Sequence, residues 1–124
     1  YMYDVRDYSR ELTRYVYRMY KEVLGREAEA EGQRFWCEEM LFWDMSPYQL
    51  ASNFVFSEEF IAQNHSNESF VTVLYRAFMG REPEADGYNY WVEQLNTGAR
   101  DWRDVFDGFA TSQEFMEISA GFRL

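Results

Sequence analysis

The chain has 124 residues, of which 47% are hydrophobic and 20% aromatic, and its formal net charge is −10. That much apolar matter supports the core of one domain or two small fused ones and excludes a disordered segment. The acidity argues against a nucleic-acid binder, which needs a basic stripe, and against docking on anionic lipid.

From Leu12 onward, Tyr15, Val16, Met19, Tyr20, Val23 and Leu24 recur at three- and four-residue spacing, which predicts a helix with one apolar face. Gly25 follows where a left-handed C-terminal residue is wanted. A loop over 26–30 leads to a second helix carrying Trp36, Cys37 and Met40. Ser46-Pro47-Tyr48-Gln49 has the form of a capping box with proline at the first helical position, and the helix it opens buries Leu50 and Phe54. Ser57 is a good N-cap for a short last helix, with Glu59 in its first turn and Phe60 pointing inward. Asn64 to Asn67 form a polar link.

The same order then recurs. Phe70, Val71, Leu74, Tyr75 and Phe78 form a second stripe, closed by Gly80 and a loop over 81–85 in which Pro83 suits the first turn of the next helix. Trp91, Val92 and Leu95 follow. Asp101 serves as N-cap with Asp104 three residues on, then come Val105 and Phe109, and finally Ser112, Glu114 and Phe115. No segment alternates with period two, so essentially no sheet is expected. No apolar run approaches the roughly 20 residues of a membrane span.

A shift of 55 residues overlays 15–60 on 70–115 without a gap. Val16, Tyr20, Gly25, Arg26, Glu27, Glu29, Ala30, Gly32, Trp36, Glu38, Phe54, Ser57, Glu59 and Phe60 all reappear in the second copy. The fold expected is all-α: two tandem repeats of about four helices each, over 1–64 and 65–124, packed into one compact unit. The start at Tyr1 reads as polar and helix-like, with no signal peptide, as in a fragment of a longer protein; the stretch from Phe115 to Leu124 suits a natural C-terminus.

The run Phe70-Val71-x-x-Leu74-Tyr75-Arg76-x-x-x-Gly80-Arg81-Glu82-Pro83-x-x-x-Gly87-x-x-Tyr90-Trp91, with Gly108-Phe109-x-x-Ser112-x-Glu114-Phe115, resembles the bacterial family known as domain of unknown function 4214. The first copy departs at Ala28, Phe35 and Asn53. The resemblance implies a secreted or cell-surface setting within a larger protein, and a distant similarity to the helical linker domains of phycobilisomes. Fold-level likeness does not supply a mechanism.

Several groups of residues compete for a functional role. Arg26 and Arg81, behind Gly25 and Gly80, either hold an anionic ligand or fork onto carboxylates; because Glu59 and Glu114 recur with them, Arg26–Glu59 and Arg81–Glu114 pairs that fix the loop are expected. Trp36 and Trp91 fall on apolar faces and read as packing. The aromatics not shared between copies, Trp43, Tyr48, Tyr88 and Trp102, are either candidates for ligand binding, since an exposed ring combines a flat apolar body with a polar tip, or a hydrophobic staple or seam between the repeats. Trp43 and Trp102 are expected in or beside the second interhelical loop of each copy. The acids Glu27-Glu29-Glu31 and Glu82-Glu84-Asp86 do not match a calcium loop, so no metal is expected. Cys37 falls in a core stripe and the single histidine, His65, in the polar link; with no triad, zinc set or phosphate loop, neither a cofactor nor catalysis is expected. Asn64-His65-Ser66 and Asn67-Glu68-Ser69 have the form of glycosylation acceptors but read as a helix start. The expected function is an interaction module for extracellular glycan or a surface protein, or else a structural spacer.

Overall fold

The structure, a computed structural model, describes residues 10–122; the helix-like start expected at Tyr1 and the last two residues lie outside them. Helix α1 (Arg10–Arg18) runs straight into a π-helical turn, Met19–Leu24, and is followed by α2 (Ala30–Phe42), α3 (Pro47–Val55) and α4 (Glu58–Ile61). The second repeat copies this order: α5 (Asn67–Leu74) with its π turn Tyr75–Met79, then α6 (Ala85–Asn96), α7 (Trp102–Ala110) and α8 (Gln113–Ser119). The described residues contain no strand.

Local chemistry explains most of these boundaries. Gly25 and Gly80 end the π turns at φ 72° and 67°, a left-handed conformation in which a Cβ is strained. Ser46 Oγ accepts from the Gln49 amide at 3.0 Å while Gln49 Oε1 accepts from the Ser46 amide at 2.9 Å. Asp101 and Asp104 make the same reciprocal pair at 2.8 and 3.0 Å, so two unlike sequences start α3 and α7 in the same way. Ser57 and Ser112 cap α4 and α8 through the amides of Phe60 and Phe115. Each such cap stabilises by about 1 kcal/mol. Pro83 differs from expectation: α6 begins at Ala85 behind N-cap Glu84, so the proline stiffens the loop outside the helix. The π turns were not foreseen, because one widened turn leaves the apolar stripe intact.

The two stripes bury against each other. Tyr15, Val16, Met19 and Val23 of the first repeat and Phe70, Val71, Leu74 and Phe78 of the second are essentially inaccessible. Contacts between repeats are reciprocal. α1 lies on the second π turn, α5 on the first, and the π turns meet. Tyr15 packs on Phe115 at 5.6 Å between ring centroids, and the equivalent pair, Phe70 and Phe60, at 6.3 Å. Tyr48 donates to Asp107 Oδ1 at 2.7 Å, while Arg103, at Tyr48's position in the other repeat, donates to Ser52 Oγ, at Asp107's position, at 3.1 Å. Such exchange is the mark of a two-fold relation between the halves, the arrangement of an isologous dimer within one chain. Arg18 departs from that symmetry: its Nε donates to the Ala77 carbonyl at 3.0 Å, whereas its counterpart is the buried Val73.

Candidate functional site

The residues common to both repeats build one lock in each. Arg26 forks onto Glu59 (Nε 2.9 Å, Nη2 3.3 Å) and also reaches Glu29, with its guanidinium 5.3 Å from the Tyr20 ring centre. Arg81 repeats this on Glu114 (3.0 and 2.9 Å) and Glu84, over Tyr75 at 5.2 Å. The hydrogen bonds from each arginine hold the Glu59 and Glu114 carboxyls below the ordinary carboxylate range. Gly32 and Gly87 lie under the Tyr20 and Tyr75 hydroxyls, where a Cβ would collide. Trp36 and Trp91 are half-buried on Phe54 and Phe109 at 5.3 and 5.4 Å, and Trp36 Nε1 donates to the Tyr20 hydroxyl at 3.1 Å. These side chains use polar atoms on each other, so each arginine is engaged by two carboxylates of its own repeat.

The four unshared aromatics part company. Trp102 is the first residue of α7, where it faces α5: its ring stacks on Phe70 at 4.1 Å and its Nε1 donates to Asn67 Oδ1 at 3.0 Å. It is a half-buried residue of the seam between repeats, directly after the second interhelical loop. Tyr88 is also half-buried against the core. Trp43 and Tyr48, by contrast, meet at one groove of about 380 Å³ on the corner between α2 and α3, lined also by Glu39, Met45, Gln49, Ser52 and Asn53.

The groove has a fixed wall and an open lip. Tyr48 is fixed, since its hydroxyl donates to Asp107 and accepts from Arg103 Nη1 at 3.3 Å. Trp43 is the lip: it ends α2, its amide donates to the Glu39 carbonyl at 3.2 Å, and 73% of it is exposed. Asp44, at φ 58°, turns the chain sharply after it. The cation nearest Tyr48 and Ser52, Arg103, is committed to both of them and lies 3.9 Å from the Phe56 ring centre.

The family described as Domain of unknown function (DUF4214) matches residues 5–46 and 51–118. The chain belongs to this family. No curated protein and no solved structure matches it, and the likeness to phycobilisome linkers is not among what these comparisons show.

Other reactive groups of this DUF4214 chain are tied up. Cys37 is buried, with its thiol pushed up to about 12 by burial. His65 stacks on Phe60 at 4.4 Å, and its ring nitrogens lie 2.6 Å from Ser69 Oγ and 2.7 Å from Gln63 Oε1; burial lowers its pKa. Among the described residues no three His, Cys, Asp or Glu side chains converge as a metal ion requires, and no helix is long and apolar enough to cross a membrane. Sequence reading missed Glu39, Gln49, Ser52 and Asn53. Their signal was helical spacing: Glu39 lies one turn before Trp43, and Gln49, Ser52 and Asn53 share one face of α3.

Proposed function

We propose that this DUF4214 domain is a non-catalytic interaction module of a bacterial secreted or cell-surface protein, binding extracellular glycan through the Trp43–Tyr48 groove. The observation that carries this is Trp43, 73% exposed at the lip of a groove whose other wall is braced from both repeats. A large indole left in water is unfavourable for the free chain and suits stacking on a sugar ring, while Gln49, Ser52 and Asn53 add polar atoms to the groove lining. A partner protein anchored on the same indole is the variant of this reading. The non-catalytic part rests on the Cys37 thiol, buried and held protonated, and on His65, engaged at both nitrogens. The secreted or surface setting rests on the family resemblance.

A structural spacer is the second reading. It is favoured by the shared arginines, acids and tryptophans, whose contacts all run within the chain. A glycan array with wild type, Trp43→Ala and Phe35→Ala separates the two. Phe35 is an exposed aromatic outside the groove lining, two turns before Trp43 on α2, so its loss controls for surface stickiness. The groove reading expects a bound subset of glycans that Trp43→Ala loses and Phe35→Ala keeps. Binding by none of the proteins, or by all three alike, gives the spacer reading.

A further inference from the structure

The groove's charge narrows the ligand further, on the footing that it binds glycan. We infer that it takes a glycan bearing a free amino group, a hexosamine in its ammonium form, with the Glu39 carboxylate pairing the ammonium while the Trp43 indole stacks on the ring. The groove is lined by one carboxylate and by no lysine or arginine. Glu39 makes no side-chain hydrogen bond or ion pair with the described residues, although its backbone carbonyl accepts from Trp43 and Met45 at 3.2 and 3.0 Å, which fixes it beside them. Arg103, the adjacent cation, is committed to Tyr48, Ser52 and the Phe56 ring. Exposed Asp44 follows Trp43, and the chain as a whole carries −10.

An anionic polysaccharide would meet like charge in the groove and in the field around it. A ligand with hydroxyls alone would stack on Trp43 and hydrogen-bond the Glu39 carboxylate without neutralising its charge. An ammonium neutralises that carboxylate and also gains cation–π attraction from the indole face, the best of the aromatic partners for a cation. Ligand recognition by a carboxylate and an aromatic face together discriminates against the acetylated sugar, which keeps the ring but loses the charge.

The test is titration calorimetry with three hexamers, of glucosamine, of N-acetylglucosamine and of galacturonate, against wild type, Glu39→Gln, Trp43→Ala and Glu31→Gln. Glu31→Gln removes the same unit of charge at a position outside the groove lining. The expected result is that the glucosamine hexamer binds wild type several-fold more tightly than the acetylated one and galacturonate does not bind. Glu39→Gln weakens the glucosamine hexamer by roughly threefold, the scale of one exposed ion pair, and leaves the acetylated one unchanged. Trp43→Ala abolishes both, and Glu31→Gln changes neither. Equal binding of the amine and acetyl forms, or equal effects of Glu39→Gln and Glu31→Gln, overturns the amino-sugar assignment and leaves the groove reading standing. Binding of no hexamer, or binding indifferent to Trp43→Ala, removes both together.

Discussion

The two repeats differ most instructively where their sequences stop agreeing. In the second, Gly108 lets the Trp91 indole come down onto α7, so close that a Cβ there would stand 2.8 Å from the ring. In the first, Asn53 holds that place, and a recess of about 190 Å³ opens beside Trp36, lined by Tyr20, Arg26, Phe54 and Glu59 among others. At the seam, the Tyr15 hydroxyl donates to the Pro47 carbonyl at 2.7 Å, whereas Phe70, which has no hydroxyl, takes the stacked indole of Trp102 from Pro47's position. Trp43 has Gly98 as its counterpart, a turn residue at φ 78°. Letters held in common thus close each repeat on itself. Letters that diverged fill the seam between repeats, or stand at the corner between α2 and α3 where Trp43 and Tyr48 line a groove.

If that division is right, the two unshared tryptophans behave oppositely. Trp102→Ala removes a stacked, hydrogen-bonded ring and should cost about 3 kcal/mol in urea unfolding. Trp43→Ala removes a ring mostly in water and should stay within about 0.5 kcal/mol of wild type. Equal losses would mean that Trp43 belongs to the core and would remove the ground for calling its corner a site. A finer comparison pits the two closing glycines against each other. Both are left-handed, but a Cβ at Gly25 meets nothing within 4 Å, while one at Gly80 stands 3.5 Å from Arg18 Cζ. Gly25→Val should therefore cost about 1–2 kcal/mol for conformation alone. Gly80→Val should cost more, because the Cβ already touches the Arg18 guanidinium and the valine methyls beyond it crowd the group that bonds Ala77. Identical midpoints for the two variants would show that Arg18 does not couple the repeats.

Much of this architecture is legible in the chain before any coordinates. Capping serines, the Asp101–Asp104 box and the glycines after each stripe are local devices, set within three or four residues, so spacing alone reveals them. The Arg–Glu pairs are legible for another reason: the duplication prints each twice, and two positions that recur together invite pairing. What stays hidden depends on how the repeats dock. Tyr48 and Arg103 hold one repeat position and read as drift, yet they touch across the two-fold, and nothing in either segment says whether the copies stack side by side or face each other. Trp102 is ambiguous for the same reason, since its residue type and place beside a loop suit exposure and the seam alike, and only the docking of α7 on α5 decides for the seam. The groove lies between these cases: Trp43 and Tyr48 are visible as unshared aromatics, but their meeting depends on the turn at Asp44.

The smallest effect tests whether the two locks are equal, and acid is the way to reach it. Arg26 and Arg81 hold Glu59 and Glu114 below their ordinary value of 4.5 in the folded chain. A carboxyl lowered on folding contributes stability that is complete above its unfolded value and is lost as pH falls through the lowered folded one. Melting midpoints should therefore hold down to about pH 5 and then drop toward pH 3. Replacing the arginines removes that part of the drop, so the curve of the Arg26→Met/Arg81→Met double variant starts lower at pH 7 and converges on wild type in acid. The second lock should account for more of the gap. Arg81 sits 2.9 Å from Glu114 through Nη2, against 3.3 Å for Arg26 to Glu59, and it also lowers Glu84. With side chains 39% and 43% exposed, the Arg81–Glu114 pair is screened by solvent, which limits Arg81→Met to about 1 kcal/mol. Parallel curves for wild type and the double variant would mean that the locks fix loop geometry without storing charge-dependent stability.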